Sequence, residues 1–368
     1  MRIGLIAPPW VSVPPLGYGG TEVVIDNLAR GLHDRGHDVR LFMIGDSTCP
    51  VQRDFLYEAP RVPMGTSVDE AAHVLAAYDA LADVDLIHDH TILGPLLAAR
   101  AGLRRPPVVS THHGAFTLEN RRIFAAIAQH AAVVAISHDQ ASHAPDVPVA
   151  AVIHHGIDLD VYRPGSGDGG YLLFLGRMSP DKGVDLAIRA ARAAGRPLVL
   201  ACKIREPAER TYFEQVVQPL LGSDDDLRIE PAIDEQLDLL RGAVALVNPI
   251  SWDEPFGLVM VEALATGTPV LAFARGAAPE IIEHGRTGYF CSNEADLITA
   301  IGNAPLLDRR RCRAAAEKRF SLQHMVSNYE ALYGRVLGHP SATLRPRQTV
   351  THIRHRQPGI ASSPAVLG

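Results

Sequence analysis

Four cysteines in 368 residues, none of them in a C-x-x-C pair, are too few and too scattered for a disulfide framework or a zinc knuckle. Cys49, Cys202, Cys291 and Cys312 therefore read as packing residues. Long hydrophobic runs are missing too. No stretch approaches the ~18–20 apolar residues that span a bilayer, and Gln129 and His130 interrupt even the Ala-rich segment after Ile123. The opening Arg2-Ile-Gly-Leu-Ile-Ala7 reads as a strand, not as the basic-then-apolar lead of a secretion signal. The expectation is a cytoplasmic protein, or one peripheral to the inner face of the membrane, with no transmembrane segment. An excess of positive charge is also absent: 35 Lys plus Arg against 41 Asp plus Glu leave a net charge of −6. No global field then attracts nucleic acid, and any phosphate binding must be local. Lysine is scarcest of all, three residues against 32 arginines, so each one can be weighed individually. Only Lys182 falls in a loop with catalytic character; Lys203 and Lys318 do not.

What is present is apolar and periodic. Apolar residues make up 47% of the chain, and its length exceeds one ordinary core of ~100–150 residues, so two domains are expected. Short β-branched runs alternate with segments of helical period, the signature of βα units and a parallel sheet. The alternation occurs twice. The first set of strands is expected at Arg2–Ala7, Val39–Met43, Leu86–His88, Val108–Thr111 and Val133–Ile136, with a helix over Thr21–Arg35 whose Val24, Leu28 and Leu32 form one stripe. After the Gly-rich stretch Arg163–Gly170, which reads as a flexible connection, a second set follows at Tyr171–Leu175, Leu198–Ala201, Leu227–Ile229, Ala245–Asn248 and Val270–Ala272. Its helices are expected near Val184–Ala194, Pro207–Leu220, Gln236–Arg241 and Gly257–Thr266. The fold class is thus α/β: two Rossmann-like, doubly wound parallel-sheet domains, 1–165 and 166–320, facing a cleft. A terminal helix over 321–337 should pack back on the first domain, and the tail 339–368, with four arginines and no acid, should be disordered.

Ligands of such sheets sit beyond the carboxyl ends of the strands, where loops enter helices. Three of those loops carry chemistry. Gly17, Gly19 and Gly20 precede the first helix and let a phosphate or sugar approach its free N–H groups. Glu22 stands where the dinucleotide fingerprint needs its third glycine, which disfavours a nicotinamide enzyme. In Gly176-Arg177-Met-Ser-Pro-Asp-Lys182-Gly183 two cations flank a helix start, a site for a diphosphate: arginine supplies a planar fork and lysine a compact charge. The strongest signal is Glu254-Pro-Phe-Gly-Leu-Val-Met-Val-Glu262. With Pro255 at the helix edge, Glu254 lies just before the helix and Glu262 about two turns inside, ~8–12 Å apart. Glu254 and the backbone of Phe256, Gly257 and Leu258 would hold one part of a ligand and Glu262 another, as a sugar and a ribose diol require. A plain cap and a surface charge are the bland alternative.

Histidines cluster at strand ends, as His88-Asp89-His90, His112-His113 and His154-His155. Sharing one crevice, they would suit a metal-dependent hydrolase. Against this, the pairs belong to different loops and no metal-ligand motif is formed. Asp83-Val-Asp85 invites a metal reading as a D-x-D motif, but it precedes its strand and is better read as a capping turn.

At Gly176-Arg177…Lys182-Gly183 and Glu254-Pro-Phe-Gly…Glu262 the chain resembles the retaining glycosyltransferases of family 4, which have the GT-B fold. The resemblance extends over roughly Met1–Leu337 and looks closest to bacterial members with a Tyr-Gly-Gly-Thr-Glu loop. It implies a metal-independent, retaining transfer of a hexose-type sugar from a nucleoside-diphosphate sugar, with no other cofactor. The acceptor stays open among saccharides, lipid-linked acceptors and small molecules. By that resemblance Arg177 and Lys182 stabilise the leaving diphosphate, Glu262 binds the ribose and Glu254 holds the donor sugar beside His113. Gly19 and Gly20 close over the diphosphate. Cys202 and Pro231 stand where the family commonly has glycine, near the expected base-binding region. Two alternatives are a GT-B-like sugar-nucleotide epimerase and a degenerate subunit that keeps the fold for assembly.

Overall fold

A computed structural model describes residues 1–17, 19–100 and 106–338. The tail expected to be disordered lies outside the described residues, as does Tyr18 of the glycine loop.

Two parallel sheets organise the chain. The first contains β1 (Arg2–Ile6), β2 (Asp38–Met43), β3 (Gln52–Phe55), β4 (Leu86–Asp89), β5 (Val108–Thr111), β6 (Ala132–Ala135) and β7 (Val149–Val152) in the order β3-β2-β1-β4-β5-β6-β7. The second contains β8 (Leu172–Arg177), β9 (Leu198–Lys203), β10 (Asp225–Ile229), β11 (Ala245–Asn248), β12 (Val270–Phe273) and β13 (Gly288–Cys291) in the order β10-β9-β8-β11-β12-β13. Each order reverses direction once, between β1 and β4 and between β8 and β11. Those two switch points open crevices at the strands' carboxyl ends.

Both faces of each sheet are covered. On one face of the first sheet Ile3, Leu5 and Leu41 pack against Val24, Ile25, Leu28 and Leu32 of the helix Gly20–Asp34, all fully buried. Ile6, Phe42 and Ile87 pack on the other face against Val74 and Ala77 of the helix Ser67–Ala80. Each such large aliphatic side chain contributes roughly 1.5–3 kcal/mol on burial. The four cysteines are free and buried.

The terminal helix Leu322–Val336 joins the first core, with Met325, Val326, Tyr329 and Tyr333 buried among β1, β2 and the helix Gly20–Asp34. The chain therefore crosses between the sheets twice, and the two crossings pair. Ile157 N donates to Phe320 O and Leu322 N to Ile157 O, each at 2.9 Å.

Several expectations change. β3, β7 and β13 were not anticipated; the sequence of β3, Gln-Arg-Asp-Phe, is too polar to announce a strand. The Gly-rich stretch is not a loose tether: Gly165, Gly167 and Gly169 N–H groups donate to Thr266, Arg241 and Gly242, and Arg309 bonds the Gly165 carbonyl. The helix expected over Pro207–Leu220 is α-helical only to Tyr212, then passes through a π turn and a 3-10 turn holding Pro219, which lacks an N–H. Asp83 and Asp85 pair with Arg40 and Arg2 at the amino end of the sheet, a structural role away from the crevice.

Candidate functional site

The loop after β8 and the loop after β11 are locked together. Ser251 N donates to Asp181 O at 2.9 Å. Gly183 adopts a left-handed φ of 72°, and an added Cβ would lie 2.3 Å from the Pro249 carbonyl oxygen. On this frame Lys182 Nζ donates to Glu254 Oε2, and the ammonium lies 5.4 Å from the centroid of the Trp252 ring. Arg177 stands beside them, 3.3 Å from Asp181. The two cations and the carboxylate named from sequence are thus gathered at one switch point, with Lys182 and Glu254 already paired. Trp252 Nε1 and Ser179 Oγ are buried there without partners.

Glu254 differs from its expected setting. Gly257 takes φ 93°, so the helix begins only at Leu258 and Pro255 lies in the loop. Glu262 is consequently about one turn inside the helix, not two. Its carboxyl accepts a hydrogen bond from the Tyr162 hydroxyl at 2.9 Å, and desolvation pushes its pKa up to about 7. Gly276 supports Glu254 from beneath: with φ 55°, an added Cβ would lie 2.3 Å from both the amide nitrogen and the carbonyl oxygen of Glu254. Ala277 N also donates to the Glu254 carbonyl at 2.9 Å. Neither Tyr162 nor Gly276 carries a sequence signal, since each acts across a long separation in the chain.

The Phe256 side chain is buried. Its ring packs at 4.9 Å from His155 and 6.0 Å from Phe320, so it plugs the junction between the halves. Leu258 and Gly20 meet across that junction, an added Cβ on Gly20 lying 3.3 Å from Leu258 Cδ1. Gly19 is equally crowded, by Pro15 and by Glu22, whose buried carboxyl is pushed up to about 7. The glycine loop and the Glu254 helix thus form opposite walls of one crevice.

In the loops after β9 and β10, Arg205 grips Glu230 with three bonds of 2.8 to 3.0 Å. Glu230 itself adopts a strained φ of 48° before Pro231. Cys202 is core, its thiol pushed up to about 12 by burial.

The histidines divide. His112 packs on Phe116 and Phe124, and His154 Nε2 bonds Glu280 Oε2 at 2.8 Å. Glu280 also accepts the backbone N–H groups of His138 and Asp139 at 2.9 and 2.7 Å, stapling the second half to the first. The other four form a column. His88 lies against His90 with ring centroids 4.1 Å apart and planes tilted by 38°, His90 Nδ1 bonds His113 Nε2 at 2.9 Å, and His113 stacks on His155 at 5.1 Å. Burial holds all four neutral, His113 down at about 3. Asp89 is spent on Thr91 and Tyr78. Among the described residues no group of three or more His, Cys, Asp or Glu side chains is placed to hold a metal ion. The expected gathering of imidazoles occurs in part, but as rings that bond and stack with one another.

With this geometry in place, residues 18–161 match the model for Glycosyltransferase Family 4 and residues 169–304 that for Glycosyl transferases group 1. A D-inositol 3-phosphate glycosyltransferase of Streptomyces avermitilis is 34% identical over 195 residues, 45% of this chain and 42% of that protein. The chain spans about half the length of the curated relatives it matches. Among solved structures, a glycosyltransferase involved in avilamycin A biosynthesis superposes with a TM-score of 0.71 at 27% identity, covering 92% of this chain and 98% of that one. An Anabaena protein in complex with UDP-glucose gives a TM-score of 0.72 at 20% identity, covering 90% and 99%. Each half of the chain thus matches one glycosyltransferase model, and its two Rossmann-like sheets have the GT-B arrangement of the solved structures that superpose on it.

Proposed function

We propose that the chain transfers a hexose-type sugar from a nucleoside-diphosphate sugar to a hydroxyl acceptor, with retention of configuration and without a metal ion. The observation that carries this reading is the Lys182–Glu254 pair beside Arg177 at the second switch point. It sets cationic groups for a diphosphate next to a carboxylate for sugar hydroxyls. In a ligand-free crevice Lys182 is neutralised by Glu254; an arriving diphosphate offers the ammonium a stronger partner and frees the carboxylate for the sugar. Arg177 and Lys182 then stabilise the charge that develops on the leaving nucleotide, the work a divalent ion performs elsewhere. Glu262, oriented by Tyr162, takes the ribose diol. The departing phosphate takes the acceptor proton on the same face of the sugar. Residues 1–165 with the terminal helix form the acceptor side and 166–320 the donor side. Four reduced, buried cysteines suit a cytoplasmic setting. A degenerate subunit is disfavoured because Arg177, Lys182, Glu254 and Glu262 are all retained, and nothing beyond the fold supports an epimerase.

The test is thermal denaturation with UDP-, GDP- and ADP-glucose at millimolar concentration, with and without EDTA. One donor raises the melting temperature in both conditions and is slowly hydrolysed. No stabilisation by any of them overturns the reading. Glu254→Ala keeps the fold and abolishes transfer; an unchanged rate contradicts its role.

A further inference from the structure

The His90–His113 bond has a consequence for the sugar site that neither residue shows alone. His90 directly follows β4 and His113 lies two residues beyond β5, so two adjacent strands bring the rings together. His90 Nδ1 and His113 Nε2 lie 2.9 Å apart. The remaining ring nitrogens, His90 Nε2 and His113 Nδ1, are buried and have no partner. Because burial keeps both rings neutral, a single proton lies between them. Two arrangements result. If His113 donates, both rings are in the Nε2–H form; if His90 donates, both are in the Nδ1–H form. A neutral histidine side chain intrinsically favours Nε2–H, so the second arrangement costs that preference twice over.

The ring planes are fixed from below. Tyr333 Oη bonds His88 Nδ1 and Thr111 Oγ1 bonds His88 Nε2, each at 2.7 Å, and Tyr329 Oη closes on Thr111 Oγ1 at 3.1 Å. With both nitrogens engaged, His88 is held in place, and the His90 ring packs against it at 4.1 Å with a 38° tilt.

We infer that His90 is a positioning residue that holds the His113 ring in the Nε2–H form, leaving Nδ1 as a bare acceptor for a hydroxyl of the donor sugar. The inference rests on the donor-site reading above for its ligand, but not for its proton arrangement.

Three full-length proteins test it: wild type, His90→Asn, whose amide can replace Nδ1, and His90→Phe, which keeps the ring and loses the bond. Long-range proton–nitrogen NMR of the ligand-free protein reads the tautomer directly. His113 is expected as Nε2–H in wild type; an Nδ1–H signal overturns the inference whether or not any donor binds. Titration with UDP-glucose and with UDP then separates sugar from nucleotide. His90→Phe weakens UDP-glucose about tenfold, the scale of one hydrogen bond, and leaves UDP unchanged, while His90→Asn restores most of the loss. Equal loss of both ligands, or failure of asparagine to rescue, shows a merely structural role and overturns it. Failure of wild type to bind either ligand contradicts the donor site instead, and the tautomer still decides the place of His90.

Discussion

The two walls of the crevice solve different electrostatic problems. The donor wall is ionic: Arg177, Lys182, Glu254, Arg205 and Glu230 form pairs that stay partly open to water. The facing wall is neutral, lined by buried imidazoles that bond one another, Thr111 and Tyr333 of the terminal helix, with Tyr329 closing on Thr111. Charges that only a ligand can fully satisfy belong where a diphosphate lands, because partial solvation keeps the empty site affordable. Neutral rings at fixed angles belong where uncharged hydroxyls must be oriented. On the function proposed above, leaving-group chemistry falls to one wall and geometry to the other.

The sharpest way to break this comparison is to remove the donor wall's central charge. Lys182→Ala is expected to lower kcat by about 10²–10³-fold, as loss of one stabilising group at a developing anion does, with a melting temperature near that of wild type. A loss confined to KM would place Lys182 in binding alone. The next effect is on the neutral wall and is read as stability against pH. His73, His88, His90, His112, His113 and His155 are all depressed by burial, so the unfolded chain takes up protons that the folded chain refuses. Stability is intact above about pH 6.5 and falls below it, by up to about 1.4 kcal/mol per imidazole per pH unit. Glu22, Asp89 and Glu262, each pushed up to about 7, act in the opposite sense as they protonate. Six against three leaves a net loss, and calorimetry at pH 7.5 and 5.5 should show a lower melting temperature at 5.5. A higher one would mean that the carboxyls dominate.

A smaller effect sharpens the donor wall. Glu262→Gln, which retains the bond from Tyr162 but not the charge, should raise KM for the donor about tenfold with kcat little changed. The smallest belongs to neither wall. Asp83→Ala removes an ion pair whose carboxylate is 70% exposed, and stability should shift by less than about 0.5 kcal/mol with activity unaltered. An activity loss there would revive the D-x-D reading.

Much of the donor wall was legible because its residues are close in sequence: Arg177 and Lys182 share one loop, Glu254 and Glu262 one loop and helix. The element pattern also showed, since buried parallel strands such as β11 and β12 are continuous apolar runs. The neutral wall was half legible. Histidines at strand ends were visible, but their pairing depends on which strands are neighbours: His90 meets His113 because β4 lies beside β5. Tyr162, Gly276 and Glu280 were missed for the same reason. The helix expected near Gly257–Thr266 starts at Leu258, but Pro255 does not form its edge, because the left-handed turn at Gly257 outweighs the helix-initiating preference of proline.

The terminal helix gives the chain an order of birth. Its Met325, Val326, Tyr329 and Tyr333 complete a core whose other members begin at Ile3, so the first sheet leaves the ribosome lacking a wall. The second sheet, wholly contained between the two crossings at Ile157 and Ser321, has all its strands before that wall arrives. Of the two, the domain made first is therefore the domain finished last, and the support beneath His90 is assembled only after the whole second sheet has been made.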